Sequence, residues 1–204
     1  ECEAAEGCSV SVWGDASYGG VNAPSDVTHP TAGVVSITSN WYAFAALKID
    51  GSVSVWGDPE SGGANAPADV TNPLPGALVT SIASTISAFA ALKSDGSVSA
   101  WGHPGQGGAG ISPDIAHPPT EHQKVVSIAT TAYAFAALKA DGTVCTWGEI
   151  DPTPELLTKP MPSVRVTQIV SVDAGFAALL SDGRVVTWGS REVLADLSEL
   201  KDVI

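Results

Sequence analysis

The stretch Val125-Val126-Ser127-Ile128-Ala129, then Ala134-Phe135-Ala136-Ala137-Leu138-Lys139-Ala140-Asp141-Gly142-Thr143-Val144, then Trp147-Gly148, decides the fold. It reads as a Val/Ile strand, a short gap, an apolar strand, a turn and a third strand. Asp-Gly supplies positive φ at little steric cost, which a tight hairpin needs. The Phe-Ala-Ala-Leu strand is apolar on both faces, so both faces must be covered. Its alanines let neighbouring sheets come close. Stacked or radially arranged small sheets satisfy this, and a single open sheet does not.

The same wording recurs along the chain. Trp-Gly pairs stand at Trp13, Trp56, Trp101, Trp147 and Trp188, spaced by 43, 45, 46 and 41 residues. All four phenylalanines, Phe44, Phe89, Phe135 and Phe176, open the apolar word, and each word leads into an Asp-Gly turn at Asp50, Asp95, Asp141 or Asp182. Internal periods of this length mark repeat architectures. The loop after Trp-Gly carries Gly19-Gly20, Gly62-Gly63 and Gly107-Gly108 in the first three copies. In the fourth, residues 149–163 have no glycine pair and hold Pro152, Pro154, Pro160 and Pro162.

The expected organisation is one repeat domain over residues 1–204. Its units are approximately 14–56, 57–101, 102–147 and 148–188, with 1–13 and 189–204 as partial units. Read backward from Trp13, Glu1 to Cys8 lies under Phe44 to Gly51, so Ser9 to Trp13 is expected to be a third strand. Leu200 to Ile204 resembles the opening strand of a further unit. Joined, the two fragments would complete one blade and remove exposed sheet edges. The fold expectation is therefore all-β and propeller-like with about five blades, four full and one composite. An open arc of repeats is the alternative. Phe44, Phe89, Phe135 and Phe176 are expected to be buried at equivalent positions.

Composition narrows the function classes. With 9 basic and 22 acidic groups the net charge is -13, which argues against nucleic-acid binding, because phosphates need a basic face. At 44% hydrophobic and 15% charged residues, the chain is expected to fold. No apolar run reaches the roughly 18 residues of a membrane helix. The chain starts at Glu1, and an upstream segment removed by processing is one reading. Cys2 and Cys8 are expected to form a disulfide that pins the terminus. Cys145 lies in an apolar strand pattern and reads as a small buried hydrophobe.

The quoted residues resemble the regulator-of-chromosome-condensation repeat, in particular its bacterial and algal variants, a group that includes β-lactamase-inhibitory proteins. The resemblance runs over roughly residues 8–204. It implies a β-propeller with four-stranded blades, commonly seven, closed by a blade shared between the termini. The family's usual His-Ser before the apolar word is Ala-Phe here, and its Gly-Gln-Leu-Gly loop is reduced to Gly-Gly. Four full units cannot build seven blades from one chain. Members act as exchange factors, as protease or lactamase inhibitors and as interaction modules. No exchange-factor motif carries over.

His29, His103, His117 and His122 lack metal-ligand spacing and read as loop histidines. No nucleophile elbow and no phosphate-binding loop is present. Asp15, Asp58, Asp26, Asp69 and Asp114 recur in the loops. A Ca²⁺ rim is conceivable, but no Asp-x-Asp spacing occurs, which favours Asx turns. Lys48, Lys93 and Lys139 share one repeat position, where the fourth copy has Leu180. They read either as solvated lysines loosely paired with the turn aspartate, or as a docking rim for an acidic partner. Trp41, Tyr42 and Tyr133 precede the apolar word and could line a binding face, though core packing is the usual role of such residues. Residues 149–163 break the repeat, and Leu156, Leu157 and Met161 are the apolar groups this loop offers a partner. The bland alternative is an insertion packed on its own blade.

Near-identical units without a singular polar constellation favour a non-catalytic interaction scaffold or an accessory subunit that docks onto a larger assembly through protein partners. No enzyme activity and no cofactor are expected. One alternative is an extracellular or lumenal inhibitor or lectin-like binder. It would require aromatic and polar loop residues converging on one rim. The other is an organelle-lumen subunit, peripheral on a membrane complex such as a photosystem. Acidic charge and paired cysteines favour an extracellular or lumenal setting over the cytosol.

Overall fold

The computed structural model describes residues 8–159 and 163–189. These form four separate three-stranded antiparallel sheets. The first is β1 (Val34–Ser39), β2 (Ala43–Lys48) and β3 (Val53–Gly57). The second is β4 (Val79–Ser84), β5 (Ala88–Lys93) and β6 (Val98–Gly102). The third is β7 (Val125–Thr130), β8 (Ala134–Lys139) and β9 (Val144–Gly148). The fourth is β10 (Val166–Val172), β11 (Gly175–Leu180) and β12 (Val185–Gly189). Each sheet is a meander with the apolar word in the middle. The array is propeller-like and not closed, so the open arc holds for the described residues. Each blade has three strands there, rather than the four the resemblance implied.

One hairpin per unit is made by the Asp-Gly turn. In the first unit, Asp50 Oδ1 accepts from Ser52 N at 2.9 Å and from Ser52 Oγ at 2.7 Å. Asp95 with Ser97 and Asp141 with Thr143 repeat the arrangement. Units are joined through this turn. The amide of the opening valine donates to the preceding turn glycine: Val79 to Gly51 (3.1 Å), Val125 to Gly96 (3.0 Å) and Val166 to Gly142 (3.1 Å). Val34 donates instead to Cys8 O at 3.0 Å, so Cys8 occupies the place of a preceding unit's glycine, as the backward alignment expected.

The core lies between blades and not within them. Ala43, Ala45, Leu47 and Val53 pack against Val70, Val79, Phe89, Ala91 and Trp101 of the next unit. The next two interfaces repeat this, with Phe135 and Trp147, then Phe176 and Trp188, as the large partners. One face of each blade is small and the facing one is aromatic, which lets the sheets interlock. Phe and Trp of one blade are cross-strand partners and stack, with ring centroids 5.0–5.4 Å apart in all four units.

The glycine-pair loop completes each stack. Trp147 Nε1 donates to Gly107 O at 3.0 Å, and Trp56 and Trp101 do the same to Gly19 and Gly62. Gly107 has φ +90, and a Cβ there would lie 2.5 Å from the Phe135 ring. Backbone strain and ring contact therefore both exclude a side chain at this position. The long loops also carry one helical turn each: α1 (Ser25–Thr28), α2 (Ala68–Thr71), α3 (Pro113–Ala116) and α4 (Glu155–Thr158). Val27, Val70, Ile115 and Leu157 point from these turns into the blade interfaces.

Several expectations need correction. Ser9 to Trp13 is not a strand. Cys8 makes an isolated bridge with Val34, and Val10 N donates to Val27 O, but no ladder follows. Val10 and Val12 still cover the Trp56 face, which leaves Phe44 half-buried while Phe89, Phe135 and Phe176 are buried. The composite blade and the Leu200 to Ile204 strand lie outside the described residues. So do Cys2, and with it the Cys2–Cys8 bridge, and Met161. At the far end of the array Val185 is 61% exposed, whereas its equivalents Val53, Val98 and Val144 are at most 2% exposed.

Candidate functional site

Three-residue turns between the first and second strands of units one to three bring polar and aromatic side chains to one rim. Asn40 Oδ1 accepts from Tyr42 N (2.8 Å) and Ala43 N (2.7 Å), while Asn40 Nδ2 donates to Ser61 O at 2.7 Å. Thr131 Oγ1 likewise accepts from Tyr133 N and Ala134 N, at 3.2 and 2.9 Å. Thr85 Oγ1 donates to Gln106 O at 3.0 Å. These bonds hold the turns in shape without a regular ladder.

The turns are tied to one another by their backbones. Trp41 N donates to Ile86 O (3.3 Å), Ile86 N to Ala132 O (3.0 Å) and Ala132 N to Asp173 O (2.9 Å). A ladder of one bond per step thus runs across all four units. It floors a groove of about 480 Å³ that includes Asn40, Trp41, Thr85, Thr131, Tyr133 and Asp173. Trp41 is 70% exposed and Tyr133 41% exposed. Core packing, the usual role of such aromatics, is not what these two do. Tyr42 is stacked on Tyr18 at 5.7 Å and lies 6.4 Å from the Trp41 ring, which gives the first unit an aromatic cluster.

The candidate lysines have another environment. Lys48 Nζ lies 2.7 Å from Asp26 Oδ2 and Lys93 Nζ 2.5 Å from Asp69 Oδ2, and Lys139 pairs with Asp114. Their partners come from the helical turns α1 to α3, not from the neighbouring Asp-Gly turn. Lys93 is 5% exposed. Ser54 and Ser99 add hydrogen bonds of 2.6 Å to Asp26 and Asp69. Burial opposes ionisation of Asp26, Asp69 and Asp114. Hydrogen bonds from lysine and serine, with the lysine charge, outweigh it and hold these carboxyls below the usual 3.8. The ammonium groups are thus held inside the chain rather than presented as a rim, and these aspartates are ion-pair partners rather than Asx turns.

The fourth unit replaces the whole constellation. Leu156 stands where Asp26, Asp69 and Asp114 stand, Leu180 replaces the lysine, and Val186 replaces Ser54 and Ser99. Sequence reading found the lysines and the aspartates separately and missed that they pair. The signal was available, because both are lost together in one copy. Of the loop candidates, Leu157 is buried in the third interface and Leu156 is 41% exposed. Cys145, at the serine position of the third unit, has its thiol pushed up by burial and by Asp114, so its thiolate is disfavoured. Among the described residues no group of three or more His, Cys, Asp or Glu is placed to hold a metal ion. No described helix is long and apolar enough to cross a membrane.

No family model matches the chain, and no curated protein matches it. Solved structures do. Prp20p from Saccharomyces cerevisiae, in a structure described with its binding properties to Gsp1p and histones, superposes with a TM-score of 0.55 at 21% identity over 82% of this chain and 46% of its own. The yeast RCC1 (Prp20) bound to Kap60 gives 0.54 at 22% identity, covering 81% and 44%. The fold is that of the RCC1-type propeller repeat. Human WBSCR16 gives 0.52 at 22% identity, covering 78% and 48%. The chain spans under half the length of these RCC1-type structures.

Proposed function

We propose that the chain is a non-catalytic protein-interaction module that binds its partner on the rim where the interstrand turns converge. The observation that carries this reading is the exposure of Trp41 and Tyr133 on a groove built from four units. Exposed aromatics at a concave, hydrogen-bonded surface are the residue types that dominate binding energy in protein interfaces. Protein binding by the yeast structural neighbour supports the same class of role. A second contact is proposed at residues 149–163 through Leu156, where an exposed leucine replaces the aspartate of the other units. Within this reading the finer proposal is an accessory subunit of a larger assembly, placed outside the cytosol.

The test is photocrosslinking in the native assembly from a benzophenone side chain at position 41, position 156 or the exposed strand position Val126. Partner crosslinks from 41, from 156 or from both, and not from 126, are expected. Crosslinks confined to this chain at both 41 and 156 would reject the proposal.

A further inference from the structure

The charge distribution says what kind of segment the groove accepts. Of the seven basic side chains among the described residues, six are paired within the chain: Lys48, Lys93, Lys124, Lys139, Lys159 and Arg184. The negative charge of the protein is therefore left facing solvent with few cations to balance it. In the groove itself, Asp173 is the one charged side chain among the lining residues, and no cation lines it. Asp173 O accepts from the amide of Ala132, the residue before Tyr133, so both residues line the same end of the groove. Trp41 stands at the other end, three hydrogen-bonded steps away. A carboxylate and an aromatic residue lining one groove favour a cation, through charge and through the ring quadrupole. A groove that runs along four units fits an elongated ligand better than a compact one.

We infer that the groove receives an extended segment of a basic partner protein, with an arginine or lysine held at the Asp173 and Tyr133 end and the remainder lying toward Trp41. This rests on the interaction reading above and names the chemistry of the partner at that same site. The global field speeds capture of such a segment, and the groove selects it. A neutral oligosaccharide could also use aromatic and hydroxyl groups, but it would gain nothing from the field or from Asp173.

The test uses synthetic peptides on the full chain. A fluorescein-labelled decapeptide of Gly and Ser bearing two arginines is titrated by anisotropy, beside its citrulline analogue and a neutral glucan hexamer as competitor. We expect the arginine peptide to bind at least tenfold more tightly than the citrulline peptide. Asp173→Asn should weaken it about tenfold, and Trp41→Ala should weaken both peptides. Glu121→Gln, an exposed acidic site away from the groove, should change affinity less than twofold at 150 mM salt. Thermal melting of each variant separates a binding loss from a folding loss. Equal affinity for arginine and citrulline peptides would overturn the inference. So would displacement by the glucan, or an Asp173→Asn variant that melts normally and binds normally. Crosslinks from position 41 to a partner would survive such a failure, so the interaction reading and the chemistry of its ligand fail separately.

Discussion

Units one to three and unit four share a strand plan and differ in what locks the long loop to the blade. In the first three, an aspartate on a helical turn reaches a lysine at the end of the middle strand. In the fourth, Leu156 replaces the aspartate and is exposed, while Leu180 replaces the lysine and is buried in the interface with Val186 packed against it. The first three also close the tryptophan against a glycine carbonyl. In the fourth, Trp188 Nε1 is buried and has no hydrogen-bond partner among the described residues. An inward apolar residue on the helical turn is common to all four units (Val27, Val70, Ile115 and Leu157), and the ion pair is an addition that the fourth unit does without. Replacing a buried ion pair by packed aliphatics is often neutral, whereas removing one partner is not.

The largest expected effect tests the part all units share. Phe135→Ala opens a cavity at a fully buried ring and should cost roughly 3–5 kcal/mol, read from denaturant midpoints. Phe44→Ala should cost distinctly less, because the first aromatic face is only half-covered. Equal losses would mean that Val10 and Val12 cover Phe44 as fully as a blade would.

Breaking the lock comes next. Asp69→Leu alone leaves the buried Lys93 ammonium without its carboxylate, with only Ser99 Oγ at 3.0 Å beside it. It should cost about 2–3 kcal/mol, below the figure for a fully buried pair because Asp69 is 48% exposed. Asp69→Leu, Lys93→Leu and Ser99→Val together write the fourth unit's residues into the second and should recover most of that loss. A triple variant as unstable as the single one would break the comparison.

The acid limb of stability sharpens it further. The folded-state values of Asp26, Asp69 and Asp114 lie below their ordinary 3.8. Their contribution is therefore complete above about pH 4 and is lost as pH falls through the lowered values. Denaturant midpoints of the wild type should be level from neutrality to about pH 4 and fall below it. The triple variant should fall less steeply. An identical acid slope would assign the proton uptake to other carboxyls.

The smallest effect concerns the tryptophan bond. Trp147→Phe loses a buried hydrogen bond worth about 1 kcal/mol and leaves the Gly107 carbonyl unpaired. Trp188→Phe removes a donor that has no described partner and should cost less by about that amount. Equal costs would show that Trp188 does find a partner.

Much of the fold was readable because its signals are local and repeated. Asp-Gly turns, period-two strands and the Trp-Gly ends each act within a few residues, and four copies remove the ambiguity of one. The double-sided apolar word correctly demanded neighbours on both faces. The site was less readable. Nothing local to Lys93 distinguishes a solvated lysine from one held by Asp69, which lies 24 residues away on another element. Ser9 to Trp13 has strand alternation but forms no strand, the one bridge there being that of Cys8 with Val34, since a strand needs a partner along its whole length and alternation cannot supply one. Trp41 and Tyr133 looked like core residues by type. They lie in turns whose backbones bond to the next unit's turns, and their side chains are exposed there.

Periodicity and glycine stereochemistry act at short range, so the repeat, the strand order within each unit, the turns and the residues of the interblade core are legible in the chain. Which aspartate meets which lysine, which leucine of residues 149–163 faces inward, and the alignment of four turns into one groove emerge only in the folded array. Those outcomes depend on how blades sit against each other, and their contacts join residues tens of positions apart.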